Sequence, residues 1–112
     1  MTAIAFIGVC VLGAWARSGL IAGLNRPSFP VGTLVVNCIG SAVAGALHAR
    51  FDGALATVAV TGALGAFTTF STFSVEVADD LNDGRRVRAA AYTVATVVGS
   101  VAAAALGAAV AA

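Results

Sequence analysis

Gly65-Ala66-Phe67-Thr68-Thr69-Phe70-Ser71-Thr72-Phe73-Ser74-Val75-Glu76 decides how this chain folds, because it sets hydroxyls and closely spaced phenylalanines inside a segment that otherwise reads as a membrane-spanning helix. From Gly53 to Val75 there is no ionisable side chain, which is about the length needed to cross a hydrocarbon core of roughly 30 Å. Hydroxyls and glycines at that depth must find partners inside protein. A break in the helix there frees backbone carbonyls and amides, and a bilayer tolerates such groups only where they are buried in protein, bind an ion or line a wet cavity. The break is therefore a functional candidate.

The rest of the composition agrees with a bilayer as solvent. The 112 residues are 60% hydrophobic and 10% charged, with a mean hydropathy of +1.00. A soluble domain this small needs a far more polar surface, so the class is integral membrane protein, all-α. The basic residues are all arginines, at 17, 26, 50, 85, 86 and 88, and the acids are Asp52, Glu76, Asp79, Asp80 and Asp83. Nearly all of them fall between apolar runs. A net charge of +1 with no basic stripe argues against a nucleic-acid partner. Cys10 and Cys38 lie within apolar runs and lack the clustered His or Cys of a metal site, so both read as small hydrophobes. Met1-Thr2-Ala3 offers no basic leader, so the first apolar run is expected to be a retained helix, although Ala14-Trp15-Ala16 resembles a cleavage site.

Four spans are expected in one transmembrane domain covering 1–112, at about 3–24, 31–50, 53–76 and 87–111. The third is expected to be broken near its middle. Arg17 and Trp15 stand where a long cation can snorkel and an indole can anchor at an interface. Asn25-Arg26-Pro27-Ser28-Phe29-Pro30 ends the first helix, and Asp52-Gly53 forms a tight turn that makes the second and third segments antiparallel neighbours. The stretch from Asp79 to Arg86 reads as an exposed connection. Gly19/Gly23 and Ser41/Gly45 are small-xxx-small pairs, so the helices are built to touch one another and a further subunit.

Several polar groups lie within the spans. Asn37 shares a helix face with Gly40, Ser41, Ala44 and Gly45, and its amide is either an interhelical hydrogen bond or a donor to a permeating ion. Phe67, Phe70 and Phe73 recur every third residue, as core packing or as ring edges offered to a small anion. Tyr92, Thr96 and Ser100 are spaced by four, so their hydroxyls stack along one helix face, either bonded back to the preceding turn or forming a polar track. Asn37, Ser71, Thr72, Tyr92, Thr96 and Ser100 can all donate, whereas no carboxylate lies at the expected membrane centre. An anion or a neutral solute fits that inventory better than a cation. Glu76, near the end of the third segment, is placed at a vestibule mouth or at the membrane boundary. His48 reads as an interfacial residue. No nucleophile with its base, metal cluster or phosphate loop is present in the sequence, which argues against an enzyme.

Three strings taken together resemble a known family. Gly13-Ala14-x-x-Arg17, Pro30-x-Gly32-Thr33-Leu34-x-x-Asn37-x-x-Gly40-Ser41 and Gly65-x-x-Thr68-Thr69-Phe70-Ser71-Thr72-Phe73-Ser74-x-Glu76 are similar to those of the small bacterial fluoride channels, the Fluc or CrcB family. The resemblance covers essentially the whole chain. It implies an antiparallel dimer of two four-helix subunits in the bacterial inner membrane, with two fluoride pores at the interface and a structural sodium ion at its centre. On these positions the carbonyls of Gly65 and Thr68 would hold sodium, Asn37 would donate to fluoride, and Phe70 and Phe73 would present ring edges to it. Ser71 and Thr72 would add hydroxyls, Tyr92, Thr96 and Ser100 would form the track, and Arg17 and Glu76 would stand at a vestibule or interface. The implied role is passive export of fluoride that enters as HF.

The loop charges add an expectation about partners. Arg26, Arg85, Arg86 and Arg88 lie on the side of the first and third loops, and Arg50 is alone on the other. By the positive-inside tendency both termini face outward. An antiparallel dimer then calls for a second, oppositely oriented paralogous subunit. Two other readings stand beside the channel. A small multidrug-type proton-coupled transporter wants a carboxylate in the first helix, and none is there. A non-transporting assembly subunit would use Asn37 and the phenylalanines for packing alone.

Overall fold

The structure is a computed structural model that describes residues 2–54 and 58–112. Its regular elements are α1 (Thr2–Leu24), α2 (Val31–Arg50), a π-helical segment (Val58–Leu64) that runs into the short α3 (Gly65–Phe67), α4 (Phe70–Asn82) and α5 (Arg86–Ala111). Among the described residues there is no β-strand, only an isolated bridge between Arg26 and Phe29 in the first loop. Among the described residues, three helices are long and apolar enough to cross a membrane, over Ala3–Leu24, Val31–Arg50 and Arg86–Ala111. At about 1.5 Å per residue they reach roughly 30–39 Å. The expected start of the third segment lies partly outside the described residues.

Burial runs opposite to that of a water-soluble domain. The fully buried side chains include Thr33 and Asp80 beside Val36 and Tyr92, while Ile4, Trp15, Val87 and Val110 stand on the outside. An apolar surface this extensive needs lipid or further protein against it. Polar groups inside therefore have to be satisfied by one another, and their contacts define the architecture.

Glycine sets where the helices meet. A side chain at Gly13 would run into the backbone of Ala63, at Gly45 into that of Ala104, and at Gly107 into that of Ala42. These contacts lay α1 alongside the π segment and α2 alongside α5, with backbones in direct touch. The paired positions rise together, from Cys38 under Gly99 to the Arg50 guanidinium donating to the Ala111 carbonyl, so α2 and α5 run in the same direction. Gly19 and Gly23 meet nothing within 4 Å. The GxxxG pair expected to serve helix contact is thus unused within the chain, and Gly13 is used instead.

Two expectations of the sequence change. The connection expected from Asp79 to Arg86 is shorter than that, because α4 continues to Asn82 and the turn waits for Gly84 at φ +78° before α5 begins at Arg86. Asp80, only 2% exposed, accepts from Arg85 Nε at 3.1 Å and Arg88 Nε at 3.0 Å. Those two charge-assisted bonds replace the water that the acid would otherwise keep. Phe67 also parts from Phe70 and Phe73. It lies in α3 beneath Gly40, while the other two open α4 with ring centroids 6.0 Å apart.

Candidate functional site

Helical geometry stops at Thr68 and Thr69, whose backbones are extended (ψ 156° and 117°) between α3 and α4. In an unbroken helix the N–H groups of Thr69, Phe70 and Thr72 would bond the carbonyls of Gly65, Ala66 and Thr68. Each bond is replaced by a side chain. Thr69 N–H donates to Asn37 Oδ1 at 2.8 Å, and Asn37 Nδ2 donates back to the Thr69 carbonyl at 3.2 Å. Thr69 Oγ1 caps α4 by accepting from Thr72 N–H at 3.1 Å. Arg17 Nη1 reaches from α1 to the Ala66 carbonyl at 3.1 Å. The carbonyls of Gly65 and Thr68 thereby lose the helical donors that Thr69 and Thr72 would have supplied.

An open cleft of about 330 Å³ lies against this interruption. Asn37 and Ser41 from α2, Phe70 and Phe73 from α4, and Thr96 and Ser100 from α5 line it together with Thr68 and Thr69. Phe70 is 80% exposed and stands out at its rim. The Phe73 ring packs on Tyr92 at 5.2 Å, and Tyr92 takes Phe29 edge-on at 5.5 Å and 82°. An aromatic ladder thus leads from the cleft to the first loop.

The hydroxyls divide into two kinds. Ser18, Thr68, Ser74 and Thr93 each bond back to the carbonyl four residues earlier. The buried oxygens of Tyr92, Thr96 and Ser100 have no hydrogen-bond partner among the described residues. They span about 12 Å of α5 at 1.5 Å per residue. Unpaired buried hydroxyls are costly in an apolar interior, so a row of three calls for water or a ligand beside it. At the loop end of the row, Thr33 Oγ1 donates to Glu76 Oε1 at 2.7 Å, and Asn25 Oδ1 accepts from the Thr33 N–H at 3.0 Å. Glu76 Oε2 is buried with no hydrogen bond of ordinary geometry among the described residues, but the Tyr92 hydroxyl lies within interaction range of Glu76, Thr33 and Thr96, so these groups form one loose polar cluster.

Of the residues expected to act together, Asn37, Thr68, Phe70, Phe73, Thr96 and Ser100 meet at the cleft. Ser71 is exposed, with its Oγ 3.4 Å from Thr69 Oγ1, and Thr72 enters only through its backbone N–H. Tyr92 and Glu76 belong to the second cluster with Thr33. Ser41, Thr69 and Thr33 were not among the expected site residues. Ser41 stands one helical turn after Asn37, a spacing from which it could have been found.

This arrangement can be set beside known proteins. The family model described as CrcB-like protein, Camphor Resistance (CrcB), matches residues 2–108. The chain belongs to the CrcB family. It is 43% identical over 108 residues to the fluoride-specific ion channel FluC of Bordetella bronchiseptica, covering 90% of this chain and 84% of that one. With the protein of the same name from Bordetella pertussis the identity is 42% over 108 residues, with the same coverage. The match spans α1, α2, the interruption and nearly all of α5, so every group described at the cleft lies inside the CrcB region.

Proposed function

We propose that this chain is a subunit of a fluoride channel that lets the anion leave the cell passively across the inner membrane. The observation that carries the reading is the row of buried, unpartnered oxygens on Tyr92, Thr96 and Ser100 beside the Asn37 cleft. Relatives named fluoride-specific ion channels supply the identity of the ion. Fluoride gives up its water only where other donors replace it. Hydroxyls along α5 can donate in sequence, and the positive edges of Phe70 and Phe73 can flank the ion without a full charge that would trap it. Asn37 has a second amide proton beyond the one given to Thr69, and its side chain borders the cleft. Ser71 and Thr72 extend the donor set at the start of α4, with Arg17 and Glu76 towards the ends of the route.

Sodium fits the interruption by its donor set, since the Gly65 and Thr68 carbonyls lose their helical N–H groups to Asn37 and Thr69 and unwound carbonyls are suited to that ion. When bound it would supply a fixed positive charge beside the anion route. In this reading the π segment, α3 and α4 together make a third span, broken at Thr68 and Thr69, which brings the spans to four. The exposed Phe70 rim and the idle Gly19/Gly23 face suit an antiparallel second subunit. Arg26, Arg85, Arg86 and Arg88 at one end against Arg50 at the other favour one orientation per chain, so that subunit is an oppositely oriented paralogue.

Fluoride efflux from sodium-loaded liposomes carrying this chain tests the proposal. Rapid efflux with chloride retained is expected, either from the chain alone or after addition of a paired homologue. No flux in either case overturns the channel. Tags on both termini test the orientation, and cytoplasmic termini in most copies would sink the requirement for a paralogue.

A further inference from the structure

We infer that the cleft between the first loop and the start of α5 binds the phosphate of an anionic phospholipid. The cleft has a volume of about 600 Å³, and its wall includes Ser28, Phe29, Arg85, Arg86, Val87 and Arg88. Three guanidinium groups at one opening repel one another unless something negative joins them. The protein supplies part of that charge. Asp80 holds Arg85 and Arg88 through their Nε atoms, Asp83 takes Arg85 Nη2 at 2.9 Å, and Arg88 Nη1 is tied to the Pro27 carbonyl at 2.7 Å. Three cations thus face two paired carboxylates, and Arg86 makes no ion pair or hydrogen bond to another described residue.

Position and shape identify the missing anion. Because the buried Asp80 anchors two guanidiniums, the rim is set before a ligand arrives, which lowers the ordering cost of binding. Guanidinium groups pair with phosphate oxygens through two parallel N–H bonds. Next to them Val87, 86% exposed, begins a stripe with the exposed Ala91, Val94 and Val98 along the spanning helix. A stripe at intervals of four, three and four residues is one helix face. A cationic rim at the end of a spanning helix with an apolar track leading from it is complementary to a headgroup and its acyl chain. A soluble anion would have no use for the track. This site stands apart from the Asn37 cleft and does not depend on which ion the protein carries.

The test is native mass spectrometry of the full chain released from mixed micelles of phosphatidylglycerol and phosphatidylcholine. The wild type is expected to retain phosphatidylglycerol preferentially. Arg86→Gln is expected to lower that preference about fivefold, the scale of one cation at an anionic membrane surface, while Arg86→Lys, which keeps the charge and loses the paired N–H bonds, falls between the two. Arg86 makes no ion pair or hydrogen bond to another described residue, so the thermal midpoint in phosphatidylcholine alone should not move. Equal retention of the two lipids, or an unchanged preference in Arg86→Gln, overturns the assignment. Displacement of the bound phosphatidylglycerol by excess inorganic phosphate would identify a site for soluble anions and overturn the lipid as its occupant.

Discussion

Asn37 commits both ends of its amide to one backbone unit, taking the N–H of Thr69 and giving to its carbonyl. Asn37→Leu removes both bonds and leaves two buried backbone groups without partners. A loss of about 1–3 kcal/mol is expected for such an unsatisfied site, read as a lower unfolding midpoint in mild detergent, together with loss of fluoride efflux. Thr96 sets up the opposite experiment. Its hydroxyl makes no hydrogen bond of ordinary geometry among the described residues, so Thr96→Val should leave the midpoint equal to or above that of the wild type. If the hydroxyl serves the anion, efflux should nevertheless fall roughly tenfold, the equivalent of one hydrogen bond to a charged group. Unchanged efflux would return Thr96 to a packing role. The pair of variants separates holding the break from serving the path, which a single loss of flux would not.

Asp80 joins three pieces of chain, because the arginines that it fixes come from the turn and from α5, and Arg88 extends the network to the first loop. Asp80→Asn weakens both charge-assisted bonds, and a cost of about 1–3 kcal/mol is expected, measured as thermal unfolding in micelles. This network also marks where reading the sequence stopped short. Hydropathy placed α1, α2 and α5 to within a residue or so, since a bilayer selects length and apolarity directly. The same property misplaced the end of α4, because Asp79, Asp80 and Asp83 look solvated until Arg85 and Arg88 are known to fold back on one of them. At the cleft, spacing placed Asn37 on a small-residue face but did not name its partner. It set Thr96 in a row with Tyr92 and Ser100 but left open whether that hydroxyl bonds back to its own helix, as Thr93 does, or stays unpaired, as it does among the described residues. Such differences depend on which neighbour each face meets.

Across the described residues, helices meet backbone to backbone at Gly13, at Gly32 against Leu20 and Ile21, and at Gly45 and Gly107. Gly107→Leu drives a side chain into the Ala42 backbone, and a loss of about 1–3 kcal/mol or more is expected from overpacking. Broadened elution on size exclusion and lost efflux would register it. Gly19→Leu, where a Cβ meets nothing within 4 Å among the described residues, should leave the isolated subunit's unfolding midpoint unchanged, so any effect on size would report on association. The interruption at Thr68 and Thr69 has a last consequence, for biosynthesis. Three of its freed peptide groups, the Ala66 carbonyl and both groups of Thr69, are satisfied by Arg17 from α1 and Asn37 from α2, both of which leave the ribosome earlier. A segment with open peptide groups is poorly suited to lipid on its own, and chains emerge with the N-terminus first. In the proposed reading, where the third segment spans the bilayer, α1 and α2 are therefore the elements that have to be in place before its freed peptide groups can be covered.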